Sequence, residues 1–506
     1  MTPDSTEPLP ESGLIVQSGG ALARLPDGGT PALAEIINRS LVQIQTSKAL
    51  TARHRIGEHE LCGPDYRLVC ALAEDVRLIP EEVLKRLLVT GGKDSERWNT
   101  RIENGRFKTL RFGETLPISS LPFIAGLIVE TLFLEMQKDL VRLTFSMFPN
   151  LATLSFHLNL LTELDLSHVP NLTALKCYWN PLTKLDLSHV PNLTELEYSG
   201  SQLTELDLSQ VPNLTAIDCH SNQLTELDLS HVPNLTELYC HENQLTGLAL
   251  SHVPNLTVLK CYWNQLTEMD LSHVPNLTEL ECYRNQLTEL DLSNVPNLTG
   301  LFCDENRLTK LVFSNVPNLT ELFCRNNQLT KLDLSHVPNL TELHCHKNQL
   351  TEMDISHAPN LTGLYCDQNS LTELVLSYVP NLTELLCNEN QLTKLDLSHV
   401  PNLTELDCCR NQLTELELSQ VPYLMRLKCS KNQLTELDVS HVPNLRSLWC
   451  NENQLTELDV SHAPNLTRLW CHENQLIELD VRNLRHLEIL KCDPGTRLIQ
   501  RPDQNF

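Results

Sequence analysis

Residues 234–254 read NLTELYCHENQLTGLALSHVP, and this 21-residue unit decides the architecture. Its halves are near copies, LxxLxCxxN followed by LxxLxLSxVP. Each half places apolar residues at i, i+3 and i+5, an alternating strand preceded by one further anchor and not the spacing of a long helix. From Leu140 to Cys492 the unit recurs every 21 residues without insertion or deletion. A proline column from Pro149 to Pro464 removes one backbone donor per turn. It also biases the preceding Val or Ala towards extended conformations, which disfavours helix on the return side. One coil buries too few side chains to offset the entropy of ordering its own chain. Stacked coils share burial and ladder hydrogen bonds, so the expectation is a long array. The fold class expected is a right-handed parallel β-solenoid of about 16–17 coils. At about 4.8 Å per coil it makes a rod or shallow arc roughly 80 Å long.

The stretch LTELYCHENQL, from Leu235 to Leu245, carries the motif LxxLxCxxNxL and resembles the leucine-rich repeat family. The nested unit is similar to the bacterial class called IRREKO, whose second half repeats LxxLDLxx. The resemblance covers about 70% of the chain. It implies a leucine-rich repeat array with little helix on the return side, and a surface for binding proteins. A fold of this kind does not by itself license an activity.

Composition narrows the partners. The 506 residues hold 64 acidic and 38 basic side chains, a formal charge of −26. Most of that charge lies beyond residue 140. So acidic a surface repels phosphate backbones and anionic membranes, and neither nucleic acid nor membrane is expected as a partner. The N-terminus carries Asp4, Glu7 and Glu11 with no positive charge before Arg24, which does not read as a secretory signal. The most apolar stretch, 121–136, is interrupted by Glu130 and is too short to span a bilayer. A cytoplasmic monomer without cofactor is expected.

The repeated columns read as structure. Fifteen of the 18 cysteines occupy one column, Cys177 and then every 21st residue from Cys219 to Cys492. No Cys-x-x-Cys pair exists for a metal, and parallel Cβ vectors about 4.8 Å apart do not suit a disulfide. Small buried hydrophobes in a reducing compartment remain. Cys409 lies outside the ladder and is the thiol expected to face outward. A second column, Asn159, Asn180 and then Asn222 to Asn474, needs partners for both amide groups and finds them in adjacent turns. One coil breaks both ladders with Tyr198, Gly200 and Ser201, either a weak joint or a compensated variation. Aspartates such as Asp228 beside histidines such as His231 form further columns. No turn supplies three converging ligands, so no metal site is expected. The Asn-Leu-Thr triplets match a glycosylation sequon and read as a turn followed by a strand start.

Function is sought where repeats differ. The outward columns of the first strand carry Tyr178–Trp179, Tyr262, Trp263, Tyr283, Trp449 and Trp470. Just before each cysteine, successive coils carry Phe302, Phe323, His344, Tyr365 and Leu386, with Arg325 beside them. Alternation with buried residues makes these side chains point outward in one stripe. Stacking that merely stabilises the sheet is one reading. A contiguous exposed apolar stripe that binds protein is the other, and Phe302, Phe323, Arg325, His344, Tyr365, Leu386, Tyr262, Trp263, Trp449 and Trp470 are its candidate residues.

The domain organisation expected is a disordered tail over 1–30, a small helical capping domain over 31–125, the solenoid over 126–495 and a tail over 496–506. Helical patterns cover 31–50 and 66–77, and a third begins at Pro80. A helix-turn-helix reading fails for want of a basic helix. Arg101, Arg106, Lys108 and Arg111 form a modest basic run suited to docking on the acidic flank. The short C-terminal tail leaves no room for a catalytic domain, and no nucleophile, base and oxyanion constellation is present. The expected function is a non-enzymatic interaction scaffold. Rivals are an effector delivered to host cells with the same surface, an enzyme, and an ice-binding rod whose threonine face is spoiled by neighbouring glutamates.

Overall fold

The computed structural model describes residues 15–18, 21–24, 52–56, 58–75, 78, 80–88, 100–103, 106–112, 129–135, 145 and 148–504. The helical pattern at 31–50 lies outside them. The chain divides into two compact units, 1–176 and 177–506. Among the described residues no helix is long and apolar enough to cross a membrane.

In the first unit Ile15–Ser18 pairs antiparallel with Ala21–Arg24, and Arg53–Ile56 with His59–Cys62. Helix α1 spans Gly63–Asp75 and buries Leu68, Val69 and Leu72. Helix α2 spans Pro80–Leu88, opens on the proline that suits a first helical position, and buries Val83, Leu84 and Leu87. Parallel pairing already joins Arg106–Phe112 to Thr131–Glu135, so ladder structure precedes residue 126. The basic run makes local contacts. Arg106 Nε lies 2.7 Å from the fully buried Asp65, whose other oxygen accepts the Phe107 amide at 2.9 Å. Burial raises the Asp65 pKa despite these partners. Lys108 pairs with Glu130, and Arg111 with Glu135 at 2.6 Å. Lys108 and Arg111 thus pair with glutamates at the start of the expected solenoid span, Arg106 turns to Asp65 instead, and the Arg101 side chain lies outside the described residues.

The repeats form a parallel β-solenoid. First-half strands recur at 21-residue spacing up to Ile489–Lys491. Pairing keeps one register, so Leu301, Leu322, Leu343, Leu364 and Leu385 stand side by side. These leucines are fully buried, as are the ladder cysteines except the half-buried Cys492. All 18 thiols are free. Burial pushes the Cys240 and Cys471 thiols up to about 12. Cys409 is half-buried rather than open, and burial with the Asp407 carboxylate pushes its thiol up to about 12.

The coils with corners from Leu158 to Glu473 turn just past the cysteine column through a left-handed residue, as at Ser221 (φ 52°), Glu242 (φ 55°) and Arg284 (φ 56°). That conformation costs an L-residue about 1–2 kcal/mol, which the following asparagine offsets. Asn285 donates from Nδ2 to Cys261 O and Cys282 O at 3.0 Å, and its Oδ1 accepts the Leu266 amide at 2.9 Å. The return side has no α-helix among residues 148–504. Its turns are built from side chains: Asp228 Oδ1 accepts the Ser230 amide at 2.9 Å, and Ser230 Oγ lies 2.9 Å from His231 Nδ1. The sequon asparagines form an amide ladder of their own. Asn276 Nδ2 donates to Pro254 O in the preceding coil at 3.2 Å, and Thr278 Oγ1 to Thr257 O at 2.9 Å.

Candidate functional site

Strand alternation builds the site. In Glu321–Phe323 the central Leu322 faces the core, so Phe323 points away from it and remains half-buried. Register sets Phe302, Phe323, His344, Tyr365 and Leu386 side by side. The first four rings stack at centroid separations of 4.8, 4.1 and 4.0 Å. Their faces are largely spent on one another and their edges form the outer surface. Phe302 and Tyr365 lean over glycines of their own coils: a Cβ on Gly300 would meet Phe302 at 3.2 Å, and one on Gly363 would meet Tyr365 at 3.0 Å.

Polar groups fix these rings. Glu342 lies 2.7 Å from His344 Nε2, and Tyr365 donates to Glu384 at 2.6 Å. Arg325, exposed, sets its Nε 3.1 Å from Asp304, which also accepts the Arg325 amide at 2.7 Å. Burial pushes Asp304 and Asp367 up to about 6. Carboxylates therefore border the stripe on both sides.

The ten candidate residues fall into three sets. Phe302, Phe323, Arg325, His344, Tyr365 and Leu386 are brought together. Tyr262 belongs to another stack, one column beyond the cysteine, where His220, His241, Tyr262 and Tyr283 lie 4.4, 4.2 and 4.3 Å apart. Beside it Trp263 is exposed, with the Arg284 guanidinium 4.1 Å over its ring. Trp449 and Trp470 form a separate edge-on pair 4.0 Å apart. Sequence reasoning missed His220 and His241 because, apart from His344 before its cysteine, it considers histidines on the return side alone. Burial, reinforced by His220, pulls His241 down to about 4, and burial does the same to His346. Both are neutral at pH 7.

Among the described residues no three His, Cys, Asp or Glu side chains converge to hold a metal ion. The Asp and His columns are engaged in turn hydrogen bonds instead. The arrangement offers an apolar, ring-edged contact surface with charged borders.

A family model of leucine-rich repeats, two copies, matches residues 317–357. The functional domain of InlJ from Listeria monocytogenes, described as including a cysteine ladder, is 38% identical over 62% of this chain and 70% of its own, with a TM-score of 0.59. A leucine-rich repeat protein of Leptospira interrogans is 25% identical over 68% of this chain and 96% of its own, TM-score 0.61. YopM from Yersinia enterocolitica is 27% identical over 78% and 91%, TM-score 0.57. No curated protein matches the chain.

Proposed function

The chain belongs to the leucine-rich repeat family, and from that premise we infer a non-enzymatic scaffold that binds another protein along the variable face of its first-half strands. The observation that carries this reading is the stripe from Phe302 to Leu386. Five successive coils keep their inward leucine and cysteine unchanged, and each replaces the outward residue before the cysteine with a ring or an aliphatic group. The coil needs no such side chain, since Glu281 and Asp407 occupy the same column on either side. Large half-buried apolar groups in a contiguous row are the usual anchors of a protein interface.

The nested 21-residue class and a bacterial source fit the similar chains. The free thiols support residence in a reducing cytoplasm. Delivery into a host cell is the alternative history for the same surface, and a translocation-reporter fusion separates the two. A photo-crosslinking residue placed at Arg325 tests the binding face itself. It should trap a partner that the same residue placed at Glu226, on the return flank, does not. A partner trapped from Glu226 and never from Arg325 contradicts the reading.

A further inference from the structure

We propose that a groove flanking the C-terminal coils is a second binding site, for an acidic polypeptide segment bearing an aromatic or aliphatic side chain. In most coils the Asn-Leu-Thr triplet is committed to ladders, as Asn402 to Pro380 O and Thr404 Oγ1 to Thr383 O. The ladders are interrupted at one place. Tyr423 stands in the asparagine column, and Met425 and then Arg446 stand in the threonine column. The side-chain contacts resume with Asn444 to Pro422 O and Thr467 Oγ1 to Arg446 O. What these departures gain is a shared lining: Tyr423, Met425, Arg446, Arg485 and His486 border a groove of about 1010 Å³, with Glu488 as its carboxylate. Tyr423 is 57% exposed.

Charge sets the class of occupant. Neither Arg446 nor Arg485 has an ion-pair partner among the described residues, whereas nearby Arg426 and Lys428 are neutralised by Glu405 and Asp407. Two other grooves, of about 1310 and 910 Å³, have charged linings made almost wholly of carboxylates such as Glu226, Asp228, Glu436 and Asp438. A groove with two unpaired guanidiniums thus stands apart from those two, in a chain of net charge −26. Guanidinium favours carboxylates through paired hydrogen bonds, and Tyr423 with Met425 offers an adaptable apolar contact. The lining crosses five coils, about 19 Å, which matches roughly six residues of extended chain. A longer polyanion such as nucleic acid would run onto the acidic flank and be repelled. This site lies on the turn flank and is separate from the strand face.

The test pans a displayed random peptide library against the full chain. Peptides combining acidic and aromatic residues should be recovered. They should bind the Arg446→Glu/Arg485→Glu variant about tenfold more weakly or worse, and bind Phe323→Ala/Tyr365→Ala with parental affinity. The Arg446→Gln/Arg485→Gln variant, at parental melting temperature, should show an intermediate loss and so exclude misfolding. The proposal is overturned when no acidic class is recovered, when the acidic peptides bind the charge-reversed variant undiminished, or when a short single-stranded oligonucleotide outcompetes them. Loss of acidic-peptide binding in Phe323→Ala/Tyr365→Ala likewise overturns it by moving those peptides to the strand face.

Discussion

The indole of Trp179 lies against Gly200: a Cβ built on Gly200 would stand 2.7 Å from Trp179 Cδ2 and 2.9 Å from Cε2 and Cε3. Gly200 occupies the left-handed corner that every other coil fills with a larger residue, and its φ is 63°. In the same coil Tyr198 replaces the ladder cysteine and is fully buried. The departures in this coil are coupled, because the glycine that relieves the corner also seats the tryptophan of the coil before it.

Replacing Gly200 by alanine should therefore lower stability by about 1–3 kcal/mol, from the left-handed backbone and the clash with Trp179. Gly247 is the control, since a Cβ there meets nothing within 4 Å. Its alanine variant should stay within about 0.5 kcal/mol of the parent. Urea denaturation measures both, and equal stabilities would contradict the packing described.

The two asparagine columns should separate by cost. Asn285→Ala leaves the buried Leu266 amide without its partner and removes one of two donors from Cys261 O and from Cys282 O, which keep Asn264 and Asn306, and should destabilise by about 2–3 kcal/mol. Asn276→Ala removes one exposed contact to Pro254 O and should cost about 1 kcal/mol. Similar losses in chemical denaturation would mean that the buried ladder carries no special share of stability.

The cysteine column sets an alkaline limit. Ladder thiols are raised by burial, Cys240 to about 12, whereas an unfolded chain ionises its thiols near 8.5. The folded state holds these protons more tightly, so the contribution is full below about pH 8.5 and is lost as pH rises towards 12. The melting temperature should hold from pH 7 to 8.5 and fall progressively above 9. Native labelling at pH 8 should reach only the half-buried Cys70, Cys409 and Cys492. A melting temperature flat to pH 11, or rapid labelling of ten or more thiols, contradicts this.

The inward columns were legible because each repeats in nearly every coil, and Leu322 and Cys324 are fully buried as their spacing requires. The left-handed corner left a fainter trace: from Leu158 to Glu473 that column never holds Val, Ile or Thr, which tolerate positive φ poorly. The Asn276 contact to Pro254 was not legible, because it needs the stacking of coils as well as the local turn. Within the candidate surface, the row Phe302 to Leu386 followed from alternation. The face-to-face stacking of those rings, and the parallel stack through His220 and His241, depend on rotamers that no pattern of residue types specifies. The groove at Arg446 was overlooked because the departures that make it lie on the turn flank, where the repeat had been read as punctuation.

The most direct test of the account is the affinity of an isolated partner for Phe323→Ala/Tyr365→Ala against the parent chain. The account predicts binding weaker by about thirtyfold or more, with the melting temperature nearly unchanged because both side chains lie outside the buried leucine and cysteine columns. Full-strength binding by the correctly folded double variant would show that the stripe only stabilises the sheet and that the contact surface lies elsewhere.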